Sequence, residues 1–378
     1  MKRNFPSVPI SPKIRDMDLK PISHVSAWYG RDLEQRRYEW QVVLSPQQIT
    51  ELMETILSAE LEGLEVLDLT VENFKLPGWA DLFARLKEDL FNGLGFILLR
   101  GFPSGDLTPL QRGLGYFGIG VHLGMAIPQN AAGHALGHVC DIGVDSEKIT
   151  GRGYQSKTEL NFHTDSADVV GLLCVRQARS GGISKLVSSL TIYNEMVKAC
   201  PDLARVLMGP IFRDRREEVP IGQGPWYCIP VFNPHQGRIL TTYVRSTVRK
   251  AERFAELPRV TPRQEEAMNV FDSLAADPIN HIQMDLKPGD IQFVCNHFIL
   301  HSRTAYEDYP EPSNRRHLLR LHLACRDGPD LPPIYENLRG FNEDGRPAGT
   351  CLPGVLPSAP LEPIDGGPGD FKNRKRLT

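Results

Sequence analysis

The feature that most constrains this chain is a set of short β-like runs, divided by glycine turns and interrupted by one long helical stretch. Leu160–Asp165, Val169–Val175 and Lys185–Ser189 form a first group, with Ser180-Gly-Gly182 before the last of them. After the turn Lys287-Pro-Gly-Asp290, Ile291–Arg303 and His317–Cys325 form a second. Short strands punctuated in this way point to a sandwich, barrel or jelly roll. Between the two groups, helical patterning runs over 191–208 and again from Thr261-Pro262 to Ala276.

The flanks read as supports for that core. Residues 1–45 read as an irregular arm with Pro6, Pro9 and Pro12, tailing into Trp40–Leu44. Ser45-Pro46 reads as an N-cap with proline at the first helical position, followed by Ile49, Leu52, Met53, Ile56 and Leu57 at helical spacing. A second helix is expected over 79–92, with Leu82, Phe83, Leu86, Leu90 and Phe91 on one face, and then a buried strand over Gly95–Gly101. Residues 121–153, rich in glycine and histidine (His134, His138), read as loop with short strands. The tail from 327 also reads as loop, and its basic end Lys372–Arg376 as a solvated terminus. The charges at Arg213, Arg215, Arg216, Glu217 and Glu218 read as a solvated face.

The expectation is a single catalytic domain, 1–378, of α+β class. An arm and helices occupy 1–90, a jelly-roll core is assembled from 91–190 and 285–325, a long helical insertion fills 191–284, and a loop region covers 326–378. Composition limits the function. A formal net charge of −3 gives no reason to expect nucleic acid as partner. No apolar run approaches the roughly 18 residues of a membrane span. Lys2 and Arg3 lack an apolar segment after them, so no secretory signal is expected. Seven scattered cysteines without a Cys-x-x-Cys pair argue against a disulfide framework or zinc ribbon and favour a reducing, cytoplasmic setting.

The chemistry begins with His163-Thr-Asp165. On a strand, alternation would put both side chains on one face about 6–7 Å apart along the backbone, where they can converge on one metal ion. With 11 His and 46 Asp+Glu, chance alone supplies about one such pair, so the pair needs context. A third ligand is available from His297 or His301, and spacing does not choose between them. Beyond them lie Arg316 and Arg320, whose planar guanidinium forks suit carboxylates.

Taken together, His163-Thr-Asp165, Pro288-Gly-Asp290, Leu300-His-Ser-Arg-Thr-Ala305 and Arg315-Arg-His-Leu-Leu-Arg320 resemble the TauD/TfdA family of Fe(II)/2-oxoglutarate-dependent dioxygenases. Gly95–Phe102 and Ser180-Gly-Gly-Ile-Ser184 extend the likeness over most of residues 90–325. The resemblance implies a double-stranded β-helix with Fe(II) held by His163, Asp165 and His301. It implies that Arg316 pairs with the far carboxylate of 2-oxoglutarate, that the Ser184 hydroxyl contacts this co-substrate, and that His297 is a supporting residue. Arg320 falls where relatives meet an anionic group of the primary substrate, and Gln129 and Asn130 are further candidates for substrate contact. The implied reaction consumes O₂ and 2-oxoglutarate, releases succinate and CO₂, and oxidises an aliphatic C–H by hydroxylation, desaturation or cyclisation. The carboxylate of Asp165 argues against halogenation, which needs a small residue there. The expected partner is a small, carboxylate-bearing molecule, an amino acid or natural-product intermediate, with oligomeric state left open. Two alternatives are a non-catalytic jelly-roll binding protein and a cupin-type metalloenzyme without 2-oxoglutarate. The intact His/Asp/His/Arg set counts against the first, the arginine clamp against the second.

Overall fold

The strand His317–Ala324 is buried along its whole length, and its two faces do different work. Leu321 and Leu323 meet the glycine-rich helix Pro109–Val121; a Cβ at Gly120 would lie 2.6 Å from Leu321 Cδ1. Leu318 and Arg320 project the other way, into a cavity. This alternation, apolar toward a helix and polar toward the interior, is the local basis of the architecture.

The computed structural model describes residues 18–145, 147–220 and 222–368. The core strands are β1 (Gln41–Val43), β2 (Phe96–Arg100), β3 (Met125–Ala126), β4 (Leu136–Val139) and β5 (Leu160–His163). They continue with β6 (Val169–Arg176), β7 (Ser184–Ser188), β8 (His281–Met284), β9 (Ile291–Cys295), β10 (Ile299–Arg303) and β11 (His317–Ala324). A 7-stranded sheet has the order β1-β2-β9-β6-β11-β3, with β4 also on β11. A 4-stranded sheet has the order β8-β7-β10-β5. Each step from β4 to β7, and again from β8 to β11, crosses from one sheet to the other. That crossing makes the core a jelly roll with flanking helices. It also divides the run Ile291–Arg303, read as one β-piece, into two strands that belong to different sheets.

The two expected flanking helices are present as Pro46–Leu61 and Ala80–Phe91. Ser45 caps the first reciprocally with Gln48. The Trp40–Leu44 stretch yields β1, parallel to β2. The helix Pro109–Val121 starts at a reciprocal cap between Thr108 and Gln111 with Pro109 in its first turn, although glycines at 113, 115, 118 and 120 weaken its helical propensity. Close packing against Phe74, Ile56 and Leu321 accounts for three of them.

The insertion departs from its expected form. Ser189–Ala199, Pro201–Val206, Arg245–Ala251 and Pro262–Ala276 are helical, but two strand pairs lie among them: Phe212–Asp214 with Trp226–Cys228, and Phe232–His235 with Arg238–Thr241. His281–Met284, assigned to the insertion from sequence, is an edge strand of the smaller sheet. The insertion has its own apolar cluster, including Ile192, Tyr193, Met196, Phe232 and Phe271, which also takes in Phe162, Val187 and Leu300 of the smaller sheet. The run 213–218 is not a solvated face: Arg213, Arg215 and Glu218 are all buried. The prolines at 6, 9 and 12 and the basic stretch Lys372–Arg376 lie outside the described residues.

The tail returns to the core through a chain of neutral histidines. The Pro360 carbonyl accepts from His138 Nε2 (2.8 Å), so His138 Nδ1 is left to accept from His317 Nε2 (2.8 Å). His317 Nδ1 then faces Arg176 NH2 (3.4 Å). Burial, reinforced by His138, pushes His317 down to about 3, and burial also lowers His138. An unfolded chain protonates these rings near 6.5, whereas the folded chain resists. Unfolded protein therefore binds more protons in the window between about 6.5 and 3, and stability falls as pH falls through it. The urea midpoint is expected to drop from pH 7.5 to pH 5, with a smaller drop in His317→Gln; equal pH slopes for the two proteins would refute this account.

Candidate active site

β5 ends at His163, and β10 runs antiparallel beside it with His301 directly opposite. Cross-strand partners project to the same face, and the two rings lie 4.3 Å apart, centroid to centroid. Asp165 is not on the strand, contrary to the alternation expected from sequence. The chain turns into a loop after His163 because other groups capture its backbone. Thr164 N–H donates to the Tyr243 carbonyl (2.9 Å), Tyr243 N–H donates to Thr164 Oγ1 (3.0 Å), and Asp165 N–H donates to Asn296 Oδ1 (3.1 Å). Ligand atoms of His163, Asp165 and His301 nevertheless all lie within 4.8 Å of one another.

The donor set suits Fe(II). The Asn161 carbonyl accepts from His163 Nδ1 (2.8 Å), which leaves the Nε2 lone pair available. His301 Nε2 lies 3.6 Å from Asp165 Oδ2. Burial, together with neighbouring His301, pushes His163 down to about 4, so the neutral ligating form persists well below neutral pH. Burial alone would raise the Asp165 carboxyl, but His322 and Arg320 outweigh it and hold the group well below the usual carboxylate range. Two neutral imidazoles and one carboxylate are the donors of a facial non-haem iron site.

His322 is the residue that sequence reading missed. Its Nε2 donates to Asp165 Oδ2 (3.1 Å), and Arg320 NH1 lies 3.5 Å from the same oxygen. The signal was present, since Arg320 and His322 alternate along β11 in phase with Arg316. His297, the rival ligand, sits in the turn between β9 and β10. There it is bound to buried Asp168 (2.7 Å), which also takes Arg346 and the Cys325 N–H.

The candidate ligands line a cavity of about 260 Å³ shared with Ser184, Arg303, Arg316 and Arg320. The Arg303 and Arg316 guanidinium carbons lie 4.6 Å and 5.1 Å from the Tyr306 ring centre. Arg316 NH1 is buried without a partner among the described residues. A Cβ at Gly182 would lie 2.9 Å from Arg316 Nε, so the Gly-Gly turn makes room for this side chain. Ser184 Oγ bonds the Gln292 amide (3.1–3.2 Å).

Arg320 donates through Nε to Gln129 Oε1 (2.6 Å), lies 4.3 Å from the Tyr154 ring centre, and keeps a buried, unpartnered NH2. Gln129 and Asn130, expected at the substrate, do not line the cavity. Gln129 is committed to Arg320 and to the carbonyls of Ala135 and Arg320. It fits beneath β4 because residue 137 is glycine; a Cβ there would lie 2.3 Å from Gln129 Oε1. The Asn130 amide closes its own turn, accepting from the Ala132 and His134 N–H groups.

If His322 orients Asp165, His322→Phe should weaken Co(II) binding by about tenfold or more, as loss of a hydrogen bond to a ligating group does. An unchanged affinity in a metal titration would remove His322 from the site.

Similarity to known proteins agrees with this geometry. The chain is 33% identical over 319 residues to FR-33289 synthase of Streptomyces rubellomurinus (strain ATCC 31215), covering 83% of this chain and 93% of that protein. It is 31% identical over 154 residues to uridine-5'-phosphate dioxygenase of an Amycolatopsis species, covering 40% and 54%. In fold it is similar to asparagine oxygenase in complex with Fe(II), 2S,3S-3-hydroxyasparagine and succinate. That match has a TM-score of 0.59 at 18% identity and covers 75% of this chain and 93% of the other. The model of the taurine catabolism dioxygenase TauD, TfdA family matches residues 60–322. The chain therefore belongs to that family and is an Fe(II)- and 2-oxoglutarate-dependent dioxygenase.

Proposed function

We propose that His163, Asp165 and His301 hold the iron, that Arg316 binds the far carboxylate of 2-oxoglutarate, and that the substrate is a small anionic molecule. The observation that carries this reading is the unpartnered Arg316 NH1, buried in the cavity that the three candidate ligands share. A buried guanidinium nitrogen without an acceptor is costly, and a carboxylate is the group its geometry completes.

When bound, Fe(II) and 2-oxoglutarate supply the oxidising chemistry, converting O₂ and the co-substrate to succinate and CO₂ while an aliphatic C–H is oxidised. The chain's own residues bind, orient and shield. Arg316, braced with Arg303 on Tyr306, fixes one end of the co-substrate. Ser184 offers a hydroxyl whose direction Gln292 sets. Arg320, held at Nε by Gln129, presents NH2 to a substrate carboxylate. Val170, Leu172, Leu286 and Leu318 add an apolar wall that excludes water. The relatives' names support a small substrate: one is named for FR-33289, one for uridine-5'-phosphate, and a fold neighbour holds 3-hydroxyasparagine. An amino acid or natural-product intermediate bearing an acidic group fits the cavity; nucleic-acid and membrane partners have no place in this reading.

Purified protein with Fe(II), ascorbate and 2-oxoglutarate should consume O₂ and release succinate, and His163→Ala or Asp165→Ala should abolish both. Under nitrogen, a weak visible absorption band should require Fe(II) and 2-oxoglutarate together. Arg316→Ala should raise the 2-oxoglutarate concentration needed for that band by about tenfold or more; an unaltered requirement would refute the assignment of Arg316.

A further inference from the structure

Arg303 has donors that the function proposed above leaves unused. It ends β10, two residues after the candidate ligand His301, and the pairing of β10 with β7 is regular from Ile299 to Arg303. Alternation therefore puts Arg303 on the strand face that carries His301, about 6–7 Å further along. Its cross-strand partner is Ser184, so these two side chains stand side by side on that face. His301, Ser184 and Arg303 all line the cavity.

Arg316, just ahead of β11, comes to the same place from the other sheet. The guanidiniums of Arg303 and Arg316 share one ring, that of Tyr306, at 4.6 Å and 5.1 Å. A ring beneath a guanidinium engages its face and leaves its N–H edges to find acceptors. Arg303 NH2 finds them in the carbonyls of Ser156 (3.1 Å) and Thr158, which fix the side chain. Its Nε and NH1 are buried without an acceptor among the described residues, as is Arg316 NH1. Each arginine is only 5% exposed, so solvent does not supply what is missing. Asp308 does not supply it either. One of its oxygens accepts the Arg316 backbone N–H (2.7 Å), and the other bonds neither guanidinium.

Two buried cations with three unused donors oppose folding of the empty chain unless an anion completes them. A carboxylate held by Arg316 alone would leave Arg303 uncompensated. One carboxylate has two oxygens and about four lone-pair sites, enough for both guanidiniums. The primary substrate is a poorer match, because the arginine assigned to it, Arg320, stacks on a different ring, Tyr154, and is bonded to Gln129. We propose that Arg303 binds the far carboxylate of 2-oxoglutarate together with Arg316, so that a pair of guanidiniums selects a dicarboxylate co-substrate. The proposal rests on the reading of Arg316 as the co-substrate arginine.

The test compares 2-oxoglutarate with 2-oxovalerate, which has the same carbon chain and 2-oxo acid end but a methyl group in place of the far carboxylate. Each is titrated calorimetrically into the full chain loaded with Fe(II) under nitrogen, so that binding is read without turnover. Arg303→Met should weaken 2-oxoglutarate by about tenfold or more and leave 2-oxovalerate unchanged. Arg303→Lys should show the same selective loss, smaller in size, and it carries the test if the methionine variant does not fold. An arginine that only ties down the Ser156 and Thr158 carbonyls would affect both ligands alike. Equal weakening of the two ligands therefore overturns the proposal, as does unaltered 2-oxoglutarate affinity in the Arg303 variants. Arg316→Ala in the same titration should also lose 2-oxoglutarate selectively. Selective loss there with none at Arg303 sinks this proposal alone; selective loss at Arg303 with none at Arg316 sinks the assignment of Arg316 and leaves that of Arg303 standing.

Discussion

The site depends first on one register. β10 pairs with β5 so that His301 faces His163, and with β7 so that His301 faces Leu186. Slipping either pairing by one residue would turn His301 to the opposite face. Between His301 and Arg303 the pairing with β5 shifts, two steps on β10 spanning the three from His163 to Leu160. Irregularities of this kind re-aim side chains beside active sites. Here the irregular segment contains Asn161, whose carbonyl sets the His163 tautomer. The apolar cluster of the insertion, which takes in Phe162, Val187 and Leu300, holds these three strands together from behind.

Once the register is set, the interior becomes a set of incomplete ion pairs. Asp165 is kept anionic by His322 and Arg320, and Arg320 is itself held by Gln129 and Tyr154. Arg316, Arg320 and Arg216 each keep a buried nitrogen without an acceptor among the described residues. Burying cations this way opposes folding unless a ligand or a network compensates. In a dioxygenase whose co-substrate and proposed substrate are anions, the stability given up in the empty chain becomes affinity for the ligands.

Segments distant in sequence complete this arrangement. Arg346 of the tail reaches Asp168, three residues beyond Asp165, and so fixes the partner that keeps His297 out of the site. Arg339 shares Glu218 with Arg152. Contacts of this kind leave no local pattern, because an arginine bound for a buried carboxylate in a loop has the same sequence appearance as one bound for water. The run 213–218 was misread for this reason, and Gln129 for a related one: its amide looks available until Gly137 is seen to let it pack beneath β4.

The sequence by itself determined the broken β pattern, the capped helices at Ser45 and Thr261, and the set from which a metal and co-substrate site could be drawn. It could do so because strands alternate with period two and caps act within four residues, so these signals are local. Only the tertiary structure decided that Asp165 lies off the strand, that His301 rather than His297 faces His163, that His322 steadies the carboxylate, and that Arg216 enters the cavity. Each of those outcomes depends on which distant backbone group or counter-charge captures a loop residue, and that choice is made only when the two sheets and the insertion close around one interior.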